Sequence, residues 1–229
     1  MKILAIETAT DACSAALLVD GEIRVRETLA PREHARLILP MMNELLAEAG
    51  IALAQLDALA FGRGPGSFTG LRIAAGVVQG AAFAADLPVA PVSTLAALAL
   101  GAMEKHGQTQ VLAALDARMN EVYWAAFRCD ADRLSSLVGE EAVLPPSRVP
   151  LTETAGWFGA GQGWAAYGEA LRERLVDRLC GVDAELSPHA REIARLGEVV
   201  MREGGGVSAE QAIPVYLRDH VADVPRALS

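Results

Sequence analysis

Short apolar runs and segments with helical periodicity alternate along the first hundred residues. The apolar runs 2–6 and 13–19 are typical of buried strands, and Asp20-Gly21 before the alternating segment 22–26 predicts a hairpin. Further along, apolar side chains recur every three to four residues, which predicts helices with an apolar face. The first half is therefore predicted to fold as β-β-β-α-β-α-β-α, with helices over 33–49, 68–85 and 94–105 and later strands over 58–61 and 89–92.

The second half begins with a segment that repeats the pattern of the N-terminus. Val111–Asp116 is an apolar run that ends in an acid, as is Ile3–Glu7, and each is followed by a second run rich in strand formers. An internal duplication would explain the likeness, and the alternative is that any two buried strands look alike. Downstream, the pattern predicts a loop over 159–163 and helices over 168–179 and 188–203.

The two long helices of the first half carry more apolar surface than packing on one sheet requires. The helix 33–49 has a wide apolar arc, and Pro40 is expected to kink or interrupt it. The helix 68–85 has small residues four positions apart, which indicates close packing against either the protein's own core or another chain. We predict that the pair forms a partner surface made of Leu37, Ile38, Met41, Met42, Leu45, Gly76, Gly80 and Ala84.

A glycine-rich stretch, Gly62–Gly70, connects a predicted strand to the second long helix. Such a turn presents backbone N–H groups to an anion, although the spacing fits neither a Walker loop nor a dinucleotide fingerprint. The alternative is a tight turn in which Ser67 or Thr69 caps the helix. Glu7 and Asp116 end the two similar strands, either as paired carboxylates for a metal–nucleotide complex or as ordinary strand-end acids. The candidate phosphate loop consists of Glu7, Thr8, Thr10, Gly64, Gly66, Ser67 and Thr69.

Composition and spacing argue against several classes of function. Acids outnumber bases by 29 to 20, which gives a net charge of −9 and disfavours direct binding of tRNA or DNA by this chain alone. Three scattered cysteines predict free thiols in a reducing compartment, and no apolar stretch reaches the roughly 20 residues that span a membrane. We therefore expect a cytoplasmic protein with no membrane contact.

The histidines also lack the spacing that metal chemistry needs. No two lie three or four residues apart on a predicted helix, and no nucleophile elbow is present. The sequence therefore predicts no metal site, no cofactor and no catalytic residues. The four positions are His34, His106, His189 and His220.

Six motifs, in the order of the chain, resemble the TsaB family, which is also called YeaZ. The most distinctive runs from Gly64 to Ile73 and reads G-P-G-S-F-T-G-L-R-I. The family commonly has Asp where the first strand here ends in Glu7. The other five motifs are Ile3–Thr10, Leu39–Met41, Val92–Leu95, Asp116–Arg118 with Glu121–Tyr123, and Pro214–Arg218.

The resemblance implies an α/β protein with the two-lobed acetate kinase/Hsp70/actin-like fold, in which each lobe is a mixed, ribonuclease H-like sheet with helices. We expect a first lobe over 1–105 and a second over 106–229, whose C-terminal segment could pack back on the first. The implied function is that of a non-catalytic, activating subunit in forming N6-threonylcarbamoyladenosine at position 37 of tRNAs that read codons beginning with A.

The partners implied by the resemblance are a catalytic paralogue, TsaD, and an ATPase, TsaE, that acts with the pair. Contact with tRNA would be indirect, and the isolated chain would form a homodimer through its two long helices. Two other functions stay open from the residues alone. One is a nucleotide-binding phosphotransferase or ATPase of the same fold, and the other, the weaker, is a metallopeptidase.

Overall fold

A computed structural model describes residues 1–131 and 134–218 of the chain, so His220 lies outside the described residues. The first sheet has the strand order β3-β2-β1-β4-β5, in which β1, β2 and β3 pair antiparallel and β4 and β5 add in parallel. Its strands are β1 (Lys2–Glu7), β2 (Ala12–Val19), β3 (Glu22–Leu29), β4 (Ala58–Gly64) and β5 (Val89–Ser93).

The second sheet repeats this topology. Its order is β10-β9-β6-β7-β8, with an antiparallel meander β6-β7-β8 and two parallel additions, so β6 occupies the place that β1 has in the first sheet. The duplication expected from the two similar strands therefore appears in the strand order. The strands are β6 (Gln110–Asp116), β7 (Val122–Arg128), β8 (Ser136–Leu144), β9 (Trp157–Ala160) and β10 (Leu179–Asp183).

Five helices cover the sheets in the described part of the chain: α1 (His34–Ala49), α2 (Phe68–Ala85), α3 (Thr94–His106), α4 (Gln162–Leu175) and α5 (Ala190–Arg202). Helices α1 and α2 pack on the outer face of the first sheet and α4 on the outer face of the second. Helices α3 and α5 lie between the sheets. From Ala190 onward the chain returns to the first lobe, where α5 packs across β1, β2, β4 and β5.

Alternation along the central strands explains this layering. In β1, Ile3 and Ala5 face the central layer, whereas Leu4 and Ile6 face α1 and α2. Both faces of the strand are buried, which is why its sequence is a continuous apolar run rather than an alternating one.

Three expectations from the sequence differ from the structure. Helix α1 runs without interruption through Pro40, whose side of the helix is exposed. The segment predicted as a loop at 159–163 contains the end of β9 and the start of α4. Helix α4 therefore begins six residues before the predicted 168 and ends at Leu175, because Gly161, with a φ of 104°, turns the chain directly from strand to helix.

Candidate partner surface and glycine loop

The outward face of α2 is apolar and lies in solvent. Gly76, Gly80 and Ala84 are exposed, and a Cβ atom added to either glycine would meet no atom within 4 Å. Phe83 follows on the same face, three residues after Gly80, and is 77% exposed. These residues are not needed for packing within the chain, so the small-residue stripe is available to another chain.

Helix α1 divides the predicted partner residues into two groups. Ile38, Met42 and Leu45 are buried in the core of the first lobe against its own sheet, so they cannot contact a partner, and the predicted surface is corrected there. Leu37 and Met41 are only half-buried. We define the α1–α2 face as the half-buried and exposed residues of the two helices, namely Leu37, Met41, Gly76, Gly80, Phe83 and Ala84.

Helix α2 is unusually apolar for a helix with so much exposed surface. Among residues 1–131 and 134–218 it alone is long and apolar enough to cross a membrane, and one third of it is buried. Core helices of soluble proteins can have the same length and apolar composition. The other residues of α2 are partly or fully exposed, so this chain covers only part of an apolar helix.

The glycines of the loop before α2 pack tightly against the protein's own backbone. A Cβ atom on Gly66 would lie 2.6 Å from Ala9 Cβ, and one on Gly70 would overlap the carbonyl group of Thr8. Gly64 has a φ of 110°, and its added Cβ would lie 2.8 Å from the carbonyl oxygen of Val215. The loop is therefore closely packed on the side where side chains would lie, which is why glycine is needed at these positions, and anion binding by the backbone N–H groups of Gly64 and Gly66 stays a prediction.

Hydrogen bonds fix this turn to the end of β1. Ser67 N donates to the carbonyl oxygen of Ala9 at 2.8 Å, and Thr8 Oγ1 donates to the carbonyl oxygen of Gly70 at the same distance. Ser67 is the N-cap of α2, and its hydroxyl accepts from Gly70 N at 3.4 Å, as the capping alternative predicts. Thr69 is exposed in the first turn, and Thr10 is buried, with its hydroxyl accepting from Ala12 N.

Glu7 is fully buried below the loop. One carboxylate oxygen accepts from Ala9 N at 2.6 Å and the other from Thr94 Oγ1 at 3.3 Å. Burial raises the pKa of Glu7 from 4.5 to about 7, although the backbone donors at Ala9 and Thr8 and the hydroxyl of Thr94 act in the opposite direction. A carboxyl group enclosed in this way is a structural acid, because both of its oxygens accept hydrogen bonds from the protein's own groups.

Asp116, the equivalent acid of the second lobe, is engaged with its own turn. Its Oδ1 accepts from Arg118 N at 2.8 Å and from Tyr167 Oη at 3.1 Å, and its Oδ2 lies 3.0 Å from Arg118 Nη1. The two acids are therefore not arranged as an open pair of metal ligands. In the described part of the chain, no group of three or more His, Cys, Asp or Glu side chains is placed to hold a metal ion.

The C-terminal segment 212–218 crosses from the first lobe to the second over the glycine loop. Val215 N donates to the carbonyl oxygen of Arg63 at 2.7 Å, and the ring of Tyr216 lies 5.4 Å from that of Phe68. At its end, Arg218 Nη2 donates to Ala117 O at 3.1 Å and to Glu121 Oε2 at 2.5 Å. The sequence analysis considered packing of this segment on the first lobe, but the contact of Arg218 with the second lobe had no signal in the sequence pattern.

The chain is similar to a family model, to curated proteins and to solved structures. Residues 25–226 match the family model for TsaD, described as tRNA N6-adenosine threonylcarbamoyltransferase. The tRNA threonylcarbamoyladenosine biosynthesis protein TsaB of Escherichia coli (strain K12) is 46% identical over 227 residues, with 97% of this chain and 96% of that protein covered. TsaB of Haemophilus influenzae is 42% identical over 229 residues, covering 96% and 95%. The solved structure of YeaZ from Pseudomonas aeruginosa is 50% identical, with a TM-score of 0.88 and 94% and 99% of the two chains covered.

Proposed function

Because this chain belongs to the TsaB family of tRNA threonylcarbamoyladenosine biosynthesis proteins, we propose that it is a non-catalytic, activating subunit that works through the catalytic paralogue TsaD. The main support for the proposal is that the apolar α1–α2 face is exposed in the chain alone. Its exposed stripe of Gly76, Gly80 and Ala84 allows the backbone of a facing helix to come close, and Phe83 supplies apolar area beside it.

The non-catalytic part of the proposal rests on the glycine loop. Gly66 and Gly70 lie so close to residues 8 and 9 that neither position has room for a side chain, so these glycines serve the packing of the loop on the end of β1. Glu7 is enclosed and Asp116 is bound to its own turn. With Glu7 and Asp116 held in this way, neither carboxylate is free to take part in phosphoryl transfer, which supports a structural role for both residues.

The charge of the chain supports an indirect relation to tRNA. A net charge of −9 opposes the phosphate backbone, so we propose that the tRNA is held by TsaD and that TsaE acts on the pair. The chain's own contribution is then the stabilisation of TsaD through the α1–α2 face. An isolated chain with this face bare is expected to bury it against a second copy.

Reconstitution of the modification tests this proposal. Purified TsaD, TsaE, the enzyme that forms threonylcarbamoyl-adenylate, ATP, threonine, bicarbonate and unmodified tRNA are combined with and without this chain, and the modified nucleoside is measured by liquid chromatography. We expect product only when both TsaD and this chain are present. Product formed by this chain with the adenylate-forming enzyme but without TsaD would contradict a non-catalytic role.

A further inference from the structure

Glu141 of β8 is a second-lobe acid whose two carboxylate oxygens accept from groups of the first lobe. Its side chain is only 8% exposed. Arg63 Nη2, near the end of β4, donates to Glu141 Oε2 at 3.3 Å, and Ser93 Oγ, at the end of β5, donates to Glu141 Oε1. One buried side chain therefore joins the edge strand of the second sheet to two strands of the first.

An irregularity in the second sheet lies at the same place. The register of β7 and β8 shifts between Trp124 and Ala126, so the three β8 residues 139–141 lie opposite a single residue of β7. A bulge of this kind bends its strand and re-aims the side chains within it. The irregular backbone therefore coincides with the point at which Glu141 leaves its own sheet for the other lobe.

Ser93 connects the carboxylate to helix α3, which lies between the sheets. It is the N-cap of α3, and its hydroxyl accepts from Ala96 N at 3.1 Å while donating to Glu141. The N-terminal end of a helix attracts negative charge. With the guanidinium group of Arg63 beside it, this end of the first lobe forms a carboxylate site, and Glu141 is the carboxylate that fills it.

An ion pair enclosed in this way fixes an arrangement more than it stabilises the fold. Removing a carboxylate and a guanidinium group from water costs about as much free energy as their attraction returns, so such pairs discriminate between arrangements at little net gain in stability. Arg63 also keeps 27% of its side chain exposed. The contact is therefore suited to a switch, since it can break without a large loss in the free energy of unfolding.

From this arrangement we propose that Glu141 is a latch between the two lobes, and that its release from Arg63 and Ser93 lets β8 move away from β5. A cavity of about 420 Å³ borders both of these strands and would widen when the latch opens. Arg63 and Ser93 line the same cavity, so release would turn the groups that hold the carboxylate toward it. The inference concerns how the lobes are held together and does not depend on the proposed function.

Spin labels on the two lobes test the latch. Val138→Cys on β8 and Arg202→Cys at the end of α5 are exposed positions next to residues that line the cavity, and Cys180→Ser removes the exposed natural cysteine. Pulsed electron paramagnetic resonance measures the distance between the labels in the full chain. We expect one distance in the labelled parent and a second, longer distance when Glu141→Ala is added.

The controls separate the carboxylate of Glu141 from general charge and from filling of space. Glu140→Ala removes the exposed neighbouring acid of the same bulge and should keep the distance of the parent. Acetate replaces the group that Glu141→Ala lacks, so it should restore the shorter distance, whereas acetamide, which has the shape but no charge, should not. Restoration by acetate should be lost in Arg63→Gln/Glu141→Ala, because the cation that binds the carboxylate is then absent.

An unchanged single distance in folded Glu141→Ala would overturn the proposal, as would equal opening in Glu140→Ala. Failure of acetate to close Glu141→Ala, or equal closure by acetamide, would overturn it too, because the carboxylate would then not be what holds the lobes together. Melting curves establish that the variants are folded. If Glu141→Ala does not fold, Glu141→Gln, which keeps the shape of the side chain and removes its charge, takes its place with the same expected opening.

Discussion

The carboxyl group of Glu7 occupies the space in which a side chain at position 62 would lie. A Cβ atom built on Gly62 would lie 2.7 Å from Glu7 Cδ and closer still to Oε2. This contact joins β1 to β4, and both residues are fully buried. The glycine is therefore needed for close approach inside the lobe, and the acid is held where its charge is poorly solvated.

Gly62→Ala should lower the free energy of unfolding by about 2–3 kcal/mol, because the new methyl group overlaps a buried carboxyl group. Chemical denaturation measures the change. Gly80→Ala is the matched control, since its methyl group meets no atom within 4 Å and should stabilise the exposed helix by about 0.5–1 kcal/mol. In a Glu7→Asp background, where the carboxyl group is withdrawn by one methylene, Gly62→Ala should cost less. Equal costs in the two backgrounds would show that this contact is not the cause.

The stability of the protein should depend on pH through Glu7. Its pKa is about 7 in the folded chain and about 4.5 when unfolded, so the folded state binds the proton more tightly. The resulting stabilisation is complete below pH 4.5 and is lost as the pH rises through 7. Each unit of difference between the folded and unfolded pKa values contributes about 1.4 kcal/mol to it.

Denaturant titrations of the parent, of Glu7→Gln and of Glu7→Gln/Glu192→Gln between pH 5 and 8 measure this dependence. Burial also raises the pKa of Glu192 to about 7, so the fall in stability should become shallower with each substitution. If the stability of the parent protein rises between pH 5 and 8, the raised pKa values of Glu7 and Glu192 are contradicted.

Phe83→Glu should weaken self-association of the isolated chain. We predict that the parent forms a homodimer through the α1–α2 face and that a carboxylate at its centre raises the dissociation constant about tenfold or more. Sedimentation equilibrium measures the constant. Leu29→Glu is the matched control, because Leu29 is also 77% exposed but lies at the end of β3. A dimer that Leu29→Glu disrupts and Phe83→Glu preserves would place the contact elsewhere.

Arg218→Ala should release the C-terminal segment from the second lobe. The guanidinium group loses its hydrogen bonds to Ala117 O and Glu121 Oε2, so the Val215 amide, which donates to Arg63 O, should exchange with solvent about tenfold faster. Hydrogen exchange resolved by residue measures this rate. Arg36→Ala, which removes an exposed ion pair with Glu33, is the control and should leave Val215 unaffected. Unchanged exchange in Arg218→Ala would mean that the segment is held by its first-lobe contacts alone.

Much of the first lobe was predictable because its strands and helices have strong, regular patterns. The predicted helix 68–85 coincides with α2, and Asp20-Gly21 does connect β2 to β3. The second lobe was less predictable. Strand β8 lies at the sheet edge with Leu137 and Val138 exposed, so its apolar residues do not mark a buried face. Strand β9 has only four residues, too few for a period to be recognised.

The candidate site could be predicted only in part, because a sequence pattern does not say what covers an apolar residue. Met41 and Met42 are adjacent in α1, yet one is half-buried at the surface and the other is packed in the core. The same limit applies to glycine. Gly70 is required by a backbone contact with Thr8, whereas Gly80 faces open space, and nothing in their spacing separates the two cases.

Binding of TsaD to the α1–α2 face is the central claim, and calorimetric titration of the chain with TsaD tests it most directly. Gly80→Arg places a charged side chain in the small-residue stripe without straining its own lobe, and Gly168→Arg, at a helical glycine of α4 that also has open space, is the matched control. After melting curves show both variants folded, we predict that Gly80→Arg weakens TsaD binding at least about a hundredfold and that Gly168→Arg leaves it unchanged. A folded Gly80→Arg that binds TsaD as tightly as the parent would contradict the account.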